Sequence, residues 1–223
     1  MCFTPTISLA TAITEWVLAL ILITSFRKSK LTPFFSIILL LLGIYQFTEF
    51  MLCFSANLIW VRVGFIAYSF LPVLGLHATL FYLNKRKNFT LLYAIPIVYS
   101  FLALLTPNFV LSGTCMRLFV SVKTILSNNA LLVLPYMLYY IIFITIAFIY
   151  LVREYLKVKD KTRKKVSFFV ALGILCMTLP TFIVLQIFPI FNVNLPSVLC
   201  HFALLLAILF FIAASLDSSQ TRK

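Results

Sequence analysis

Acidic side chains are scarce in this chain: five Asp and Glu stand against eighteen Lys and Arg, and only 10% of the 223 residues are charged. With 63% hydrophobic residues and a mean hydropathy of +1.12, that scarcity excludes a soluble domain, whose surface needs roughly a quarter charged residues. Glycine is scarce too, at five residues, and neither a Walker loop nor a Gly-x-Ser-x-Gly elbow is present. The two histidines form no His-Glu-x-x-His, and the five cysteines show no paired metal-ligand spacing. These gaps remove the common catalytic signatures and point away from an enzyme; no cofactor can be read.

What is there is apolar sequence in long runs. A bilayer-crossing helix needs ~20 mostly apolar residues, because hydrocarbon cannot satisfy a free backbone amide. Seven segments qualify: Ile7–Phe26, Thr32–Phe54, Val63–Leu83, Phe89–Thr106, Leu131–Val152, Val166–Ile187 and Pro196–Leu216. They use most of the chain, so the reading is a single transmembrane domain over 1–223, an all-α bundle of seven helices. The first run lacks a basic leader, carries Glu15 and has its cations after it, so it reads as a retained helix instead of a cleaved signal. The tail after Leu216 is too short for an effector domain.

Fifteen of the eighteen cations sit at four places: Arg27 to Lys30, Lys85 to Lys87, Arg153 to Lys165, and Arg222 with Lys223. A net charge of +13 spread over a surface would suggest nucleic acid. Confined to every second loop, it follows the positive-inside rule and puts the N-terminus outside and the C-terminus in the cytoplasm. The expected partners are therefore the lipid bilayer, with a small-molecule ligand or metal ion, and not nucleic acid. On this orientation Asn88-Phe89-Thr90, a glycosylation acceptor by pattern, is cytoplasmic and is discounted. The outward loop from Pro107 to Asn129 alternates polar and apolar residues and reads as a cap across the bundle. The stretch from Arg153 to Lys165 reads as a helical extension of span five into water. Arg62, Trp60 and Tyr68 look like interface anchors. Prolines inside spans, Pro72, Pro96, Pro135 and Pro180, permit kinks.

Ionisable groups within the membrane are costly and mark functional sites by default. Here they are Glu15, Glu49, His77 and His201. At ~1.5 Å per residue, Glu49 lies about 8–12 Å, Glu15 about 12 Å and His201 about 7 Å below the outer ends of their spans. Polar stripes at helical spacing accompany them: Ser8, Thr11 and Glu15; Gln46, Glu49 and Cys53; Ser197, Cys200 and His201. Tyr136, Tyr139 and Tyr140 stand at similar depth. The stripes are expected to face one another around an outward polar pocket, with Glu15, Gln46, Glu49, Tyr136, Tyr139, Ser197 and His201 as ligand-binding residues; the bland alternative is interhelical hydrogen bonding that holds the bundle together. His77, nearer the cytoplasmic face, reads as a hydrogen-bonded packing residue.

Met1-Cys2 could expose an amine and a thiol together, a soft-metal chelator or nucleophile, with Cys2, Glu49 and His201 as a conceivable metal set. Four cysteines on the oxidising side, Cys2, Cys53, Cys115 and Cys200, instead suggest disulfides. They allow three pairings, of which Cys2–Cys200 with Cys53–Cys115 is preferred. Cys176 is mid-span and packs. Two rival functions stay open: a small-solute transporter of three-plus-one-plus-three build, and a membrane-embedded hydrolase or thiol enzyme using Cys2.

Met1-Cys2-Phe3-Thr4, Gln46-x-x-Glu49 and Pro196 through Ala203 resemble an uncharacterised family of integral membrane proteins beginning Met-Cys-Phe-Ser, known as a domain of unknown function. The resemblance points to Cys2, Gln46, Glu49, Ser197 and Cys200, and departs from the family at Phe50, where Gly is usual, and at His201, where an aromatic is usual. A looser likeness, in Arg62 through Tyr82, is to the seven-span sensor regions of bacterial histidine kinases. It implies ligand sensing at a bacterial plasma membrane, with no kinase region read in this sequence.

Overall fold

The computed structural model describes residues 5–85, 89–115, 120–187 and 199–220. Helix α1 (Pro5–Ser25) and helix α2 (Thr32–Ser55) form a tight antiparallel hairpin. Pro33 stands in the first turn of α2, where a missing N–H leaves no helical bond unmade. The third span is two helices, α3 (Ile59–Ser69) and α4 (Leu71–Tyr82), broken at Phe70 just ahead of Pro72. The fourth span begins as a 3-10 helix, Phe89–Tyr93, and continues as α5 (Ala94–Leu105). Its seventeen residues would be short as pure α-helix, but the steeper 3-10 rise carries them roughly 28 Å, about the hydrocarbon thickness.

Short elements follow: strands β1 (Val110–Cys115) and β2 (Val120–Thr124) and a one-turn helix α6 (Ile125–Asn128). Helix α7 (Ala130–Lys157) is capped by the Asn129 side chain, which accepts from the Leu131 N–H at 3.0 Å. Helix α8 (Lys161–Ile187) is capped by Asp160, whose carboxylate accepts from the Thr162 and Arg163 amides at 3.1 and 3.2 Å. The charged stretch from Arg153 to Lys165 is therefore the ends of two helices with a three-residue break, and not one extension of span five. Helix α9 (Leu199–Gln220) completes the bundle, packing on α8, α1 and α2.

The fold is an all-α membrane bundle; among the described residues, five helices are long and apolar enough to cross a bilayer by length and composition, with the shorter apolar Phe89–Leu105 beside them. The one departure from helix among the described residues is the antiparallel β1–β2 hairpin. It occupies the outward loop expected to cap the bundle, and its two-residue alternation fits strands better than an interfacial helix. Val110 and Val120 of its strands are buried together with Phe109, and Gly113 lies against Leu52, Leu58 and Val61 at the ends of α2 and α3. A Cys53–Cys115 disulfide, Cα to Cα 5.2 Å, ties β1 to the end of α2. That bond sits at the end opposite the cation clusters, which agrees with an oxidising exterior there.

The core is continuous from α1 through α2 to α9. Toward the cytoplasmic side Ala19, Leu22, Phe35, Leu39 and Phe210 are buried, and the Phe35 and Phe210 rings stack at 4.1 Å.

Candidate functional site

The hairpin of α1 and α2 is drawn close by Gly43, where an added Cβ would collide with the Trp16 indole. Trp16 Nε1 donates to the Leu40 carbonyl at 3.3 Å. This contact sets the register of the two helices. Counting residues outward from it puts Glu49 about 7 Å farther toward the outer face than Glu15, with Gln46 between them.

Glu15 is fully buried, Gln46 likewise, and Glu49 is 6% exposed. Ser8 and Thr11 are buried on the same stripe of α1. The Tyr45 hydroxyl donates to Glu49, one turn further along α2. Glu15 and Glu49 lie near enough for their charges to interact. Both carboxyl oxygens of Glu15 are buried with no hydrogen-bond partner. Two negative charges in this low-dielectric setting repel unless a positive group comes between them. The arrangement is a buried pair of acids closed off from solvent.

Of the other expected site residues, Ser197 and Cys2 lie outside the described residues, as do the side chains of Cys200 and His201, so the Cys2–Cys200 pairing falls outside them too. Position 201 is in the third residue of α9, the helix that packs on α1 and α2. Among the described residues, no three His, Cys, Asp or Glu side chains converge as metal ligands.

Tyr136 and Tyr139 are placed elsewhere, against the kink of the third span. Pro72 has no N–H to offer the Tyr68 carbonyl, and the break at Phe70 disturbs the next. Span five fills the deficit: the Tyr140 hydroxyl donates to the Tyr68 carbonyl and the Tyr139 hydroxyl to the Ser69 carbonyl at 2.8 Å. Tyr136 pairs with the Ser69 hydroxyl at 2.8 Å. Tyr68, expected at the interface, stacks instead on Tyr140 at 4.7 Å and packs on Tyr45 at 5.8 Å. An aromatic path thus runs from Glu49 through Tyr45 and Tyr68 to the kink. His77 pairs with the Tyr93 hydroxyl at 2.8 Å and packs on Phe34 and Phe89, as a packing histidine does. Arg62 caps the end of α5, donating to the Ala103 carbonyl at 2.6 Å and to those of Leu104 and Pro107.

Two participants escape sequence reasoning. Tyr45 stands four residues before Glu49, a helical neighbour spacing that signals the pair once sought. Asp217, near the cytoplasmic end of α9, reads as a helix-end charge. It is buried, and one oxygen accepts from Ser29 Oγ at 2.6 Å and the Lys30 amide at 3.0 Å. It ties α9 to the turn between α1 and α2.

Long apolar helices, a buried acid pair and cations gathered at the opposite end define an integral membrane helical bundle. A model of the family described as the N-terminal 7TM region of histidine kinase matches residues 7–218. The chain belongs to that family. The match extends the likeness first read in Arg62 through Tyr82 over nearly the whole chain. No curated protein and no solved structure matches it.

Proposed function

We propose that this chain is a membrane sensor module, in a bacterial plasma membrane, that recognises a small cationic ligand, an amine or a metal ion, between α1, α2 and α9. The observation that carries this reading is Glu15, whose carboxyl oxygens are both buried without a partner in a membrane bundle. An orphaned buried polar group costs about 1–3 kcal/mol, which a purely structural role gives no reason to keep. Glu49 is the second anchor, and Tyr45 orients it. The transporter reading is less well supported, because the core on the cytoplasmic side of the acids is packed with Leu22, Phe35, Leu39 and Phe210.

The test is Glu15→Leu and Glu49→Gln in the purified protein, with thermal stability measured alone and against a panel of amines and of Zn2+, Mn2+ and Ca2+. Glu15→Leu stabilises the unliganded protein by about 1–2 kcal/mol and abolishes any stabilisation by the active probe. Loss of stability in Glu15→Leu, or failure of Glu49→Gln to accumulate in the membrane, would show that the acids hold the bundle together and bind nothing.

A further inference from the structure

Between α7 and α8, on the lateral surface, runs an open groove with a wholly apolar lining, formed by Phe148, Val152 and Tyr155 of one helix and Phe168, Ala171 and Leu175 of the other. The lining residues follow helical spacing on both sides, so the groove runs along the helices and not across them. Continued toward the cytoplasm, the α8 stripe meets Lys164 and Lys165, both exposed. The Lys164 amine stands 4.8 Å from the centre of the Tyr155 ring, at the groove mouth. Of the nearby acids, Glu154 is taken by Arg163 at 2.7 Å and Asp160 caps α8, and neither lysine has an ion pair with a carboxylate among the described residues.

From Lys164 to Leu175 is eleven residues, about 16 Å of helix, against about 15 Å for the hydrocarbon of one leaflet. The geometry points to a site for one anionic phospholipid of the cytoplasmic leaflet, with an acyl chain along the groove and the headgroup phosphate on Lys164 and Lys165. Charge complementarity selects the occupant: an apolar channel one leaflet long that ends in two cations matches an acidic lipid better than a neutral one. The site is separate from the acid pair between α1, α2 and α9 and does not depend on its ligand.

The experiment is native mass spectrometry of the full chain released from nanodiscs of phosphatidylcholine and phosphatidylglycerol in equal amounts. The wild type retains phosphatidylglycerol in preference to phosphatidylcholine. Lys164→Ala with Lys165→Ala lowers that retention by about fivefold per lysine removed, and the double arginine variant keeps it. Leu172→Trp, which fills the groove, loses the bound lipid with every lysine in place. Arg27→Ala with Lys28→Ala, both exposed in the turn between α1 and α2, removes the same charge away from the groove and stays within about twofold of the wild type. Equal retention of both lipids by the wild type, an equal loss in the Arg27 and Lys28 control, or undiminished binding in Leu172→Trp each overturns the site.

Discussion

Removing the carboxylate of Asp217 tests whether the bundle is fastened at its cytoplasmic end. One oxygen of Asp217 accepts two hydrogen bonds, from Ser29 Oγ at 2.6 Å and the Lys30 amide at 3.0 Å, and Ser29 Oγ in turn accepts from the Leu31 amide at 3.1 Å. Hydrogen bonds to a charged acceptor contribute about 1.5–3 kcal/mol each, and the lower figure fits here because an unfolded membrane chain finds other partners. Asp217→Ala strands both donors and is expected to lose about 3 kcal/mol. Asp217→Asn keeps an acceptor oxygen and loses about 1 kcal/mol. The assay is equilibrium unfolding in mixed micelles by SDS titration, followed by circular dichroism. Ser29→Ala combined with Asp217→Ala completes a double-mutant cycle, with an expected coupling of about 1–2 kcal/mol. Ser219→Ala, whose hydroxyl bonds only the Leu216 carbonyl of its own helix, is the control and stays within about 0.5 kcal/mol. If Asp217→Ala falls in that same narrow range, or the cycle is additive, the turn between α1 and α2 is not held by α9 and the argument fails.

Gly43→Ala places a methyl group inside the Trp16 indole and is expected to destabilise by about 1–3 kcal/mol. In a Trp60→Phe background, where Trp16 is the remaining tryptophan, its emission shifts; unchanged stability and emission would show that the hairpin has slack at this point. Tyr140→Phe removes the donor to the Tyr68 carbonyl and is expected to lose about 0.5–1.5 kcal/mol. The loss shrinks in a Pro72→Ala background, where the helix supplies its own N–H to that carbonyl, and an equal loss in both backgrounds would separate Tyr140 from the kink.

The spans and their count are legible in the sequence because lipid leaves the backbone no choice: every apolar run of sufficient length must close its own hydrogen bonds. The cation clusters add direction for the same elementary reason, a charge being cheap only in water. Pro72 announces a weakness in the third span, but not its remedy. That Tyr139 and Tyr140 of span five repair it depends on which spans are neighbours, and apolar sequence says almost nothing about neighbours. The tyrosines therefore read as pocket residues when taken by depth alone. The outward loop misleads in a smaller way. Its alternation is that of strands, and β1 and β2 cap the bundle where an interfacial segment was expected.

The acid pair lies between these extremes. Rise per residue gives the depth of Glu15 and Glu49, and the stripes Ser8, Thr11, Glu15 and Gln46, Glu49 give their faces, so each helix separately points its acid inward. What brings the faces together is Gly43, a residue with no chemistry of its own, whose missing side chain admits Trp16 and fixes the register. Helix α9 then packs on the same hairpin. Its outer turns start at the level where position 201 was expected to join the site, and its cytoplasmic end holds the α1–α2 turn through Asp217. In the family the seven-span region is N-terminal to the kinase. On the proposed reading, a ligand that alters the packing of α1 and α2 around Glu15 acts on α9, which Asp217 fastens to their turn, and that clamp is where the change is absorbed or passed on.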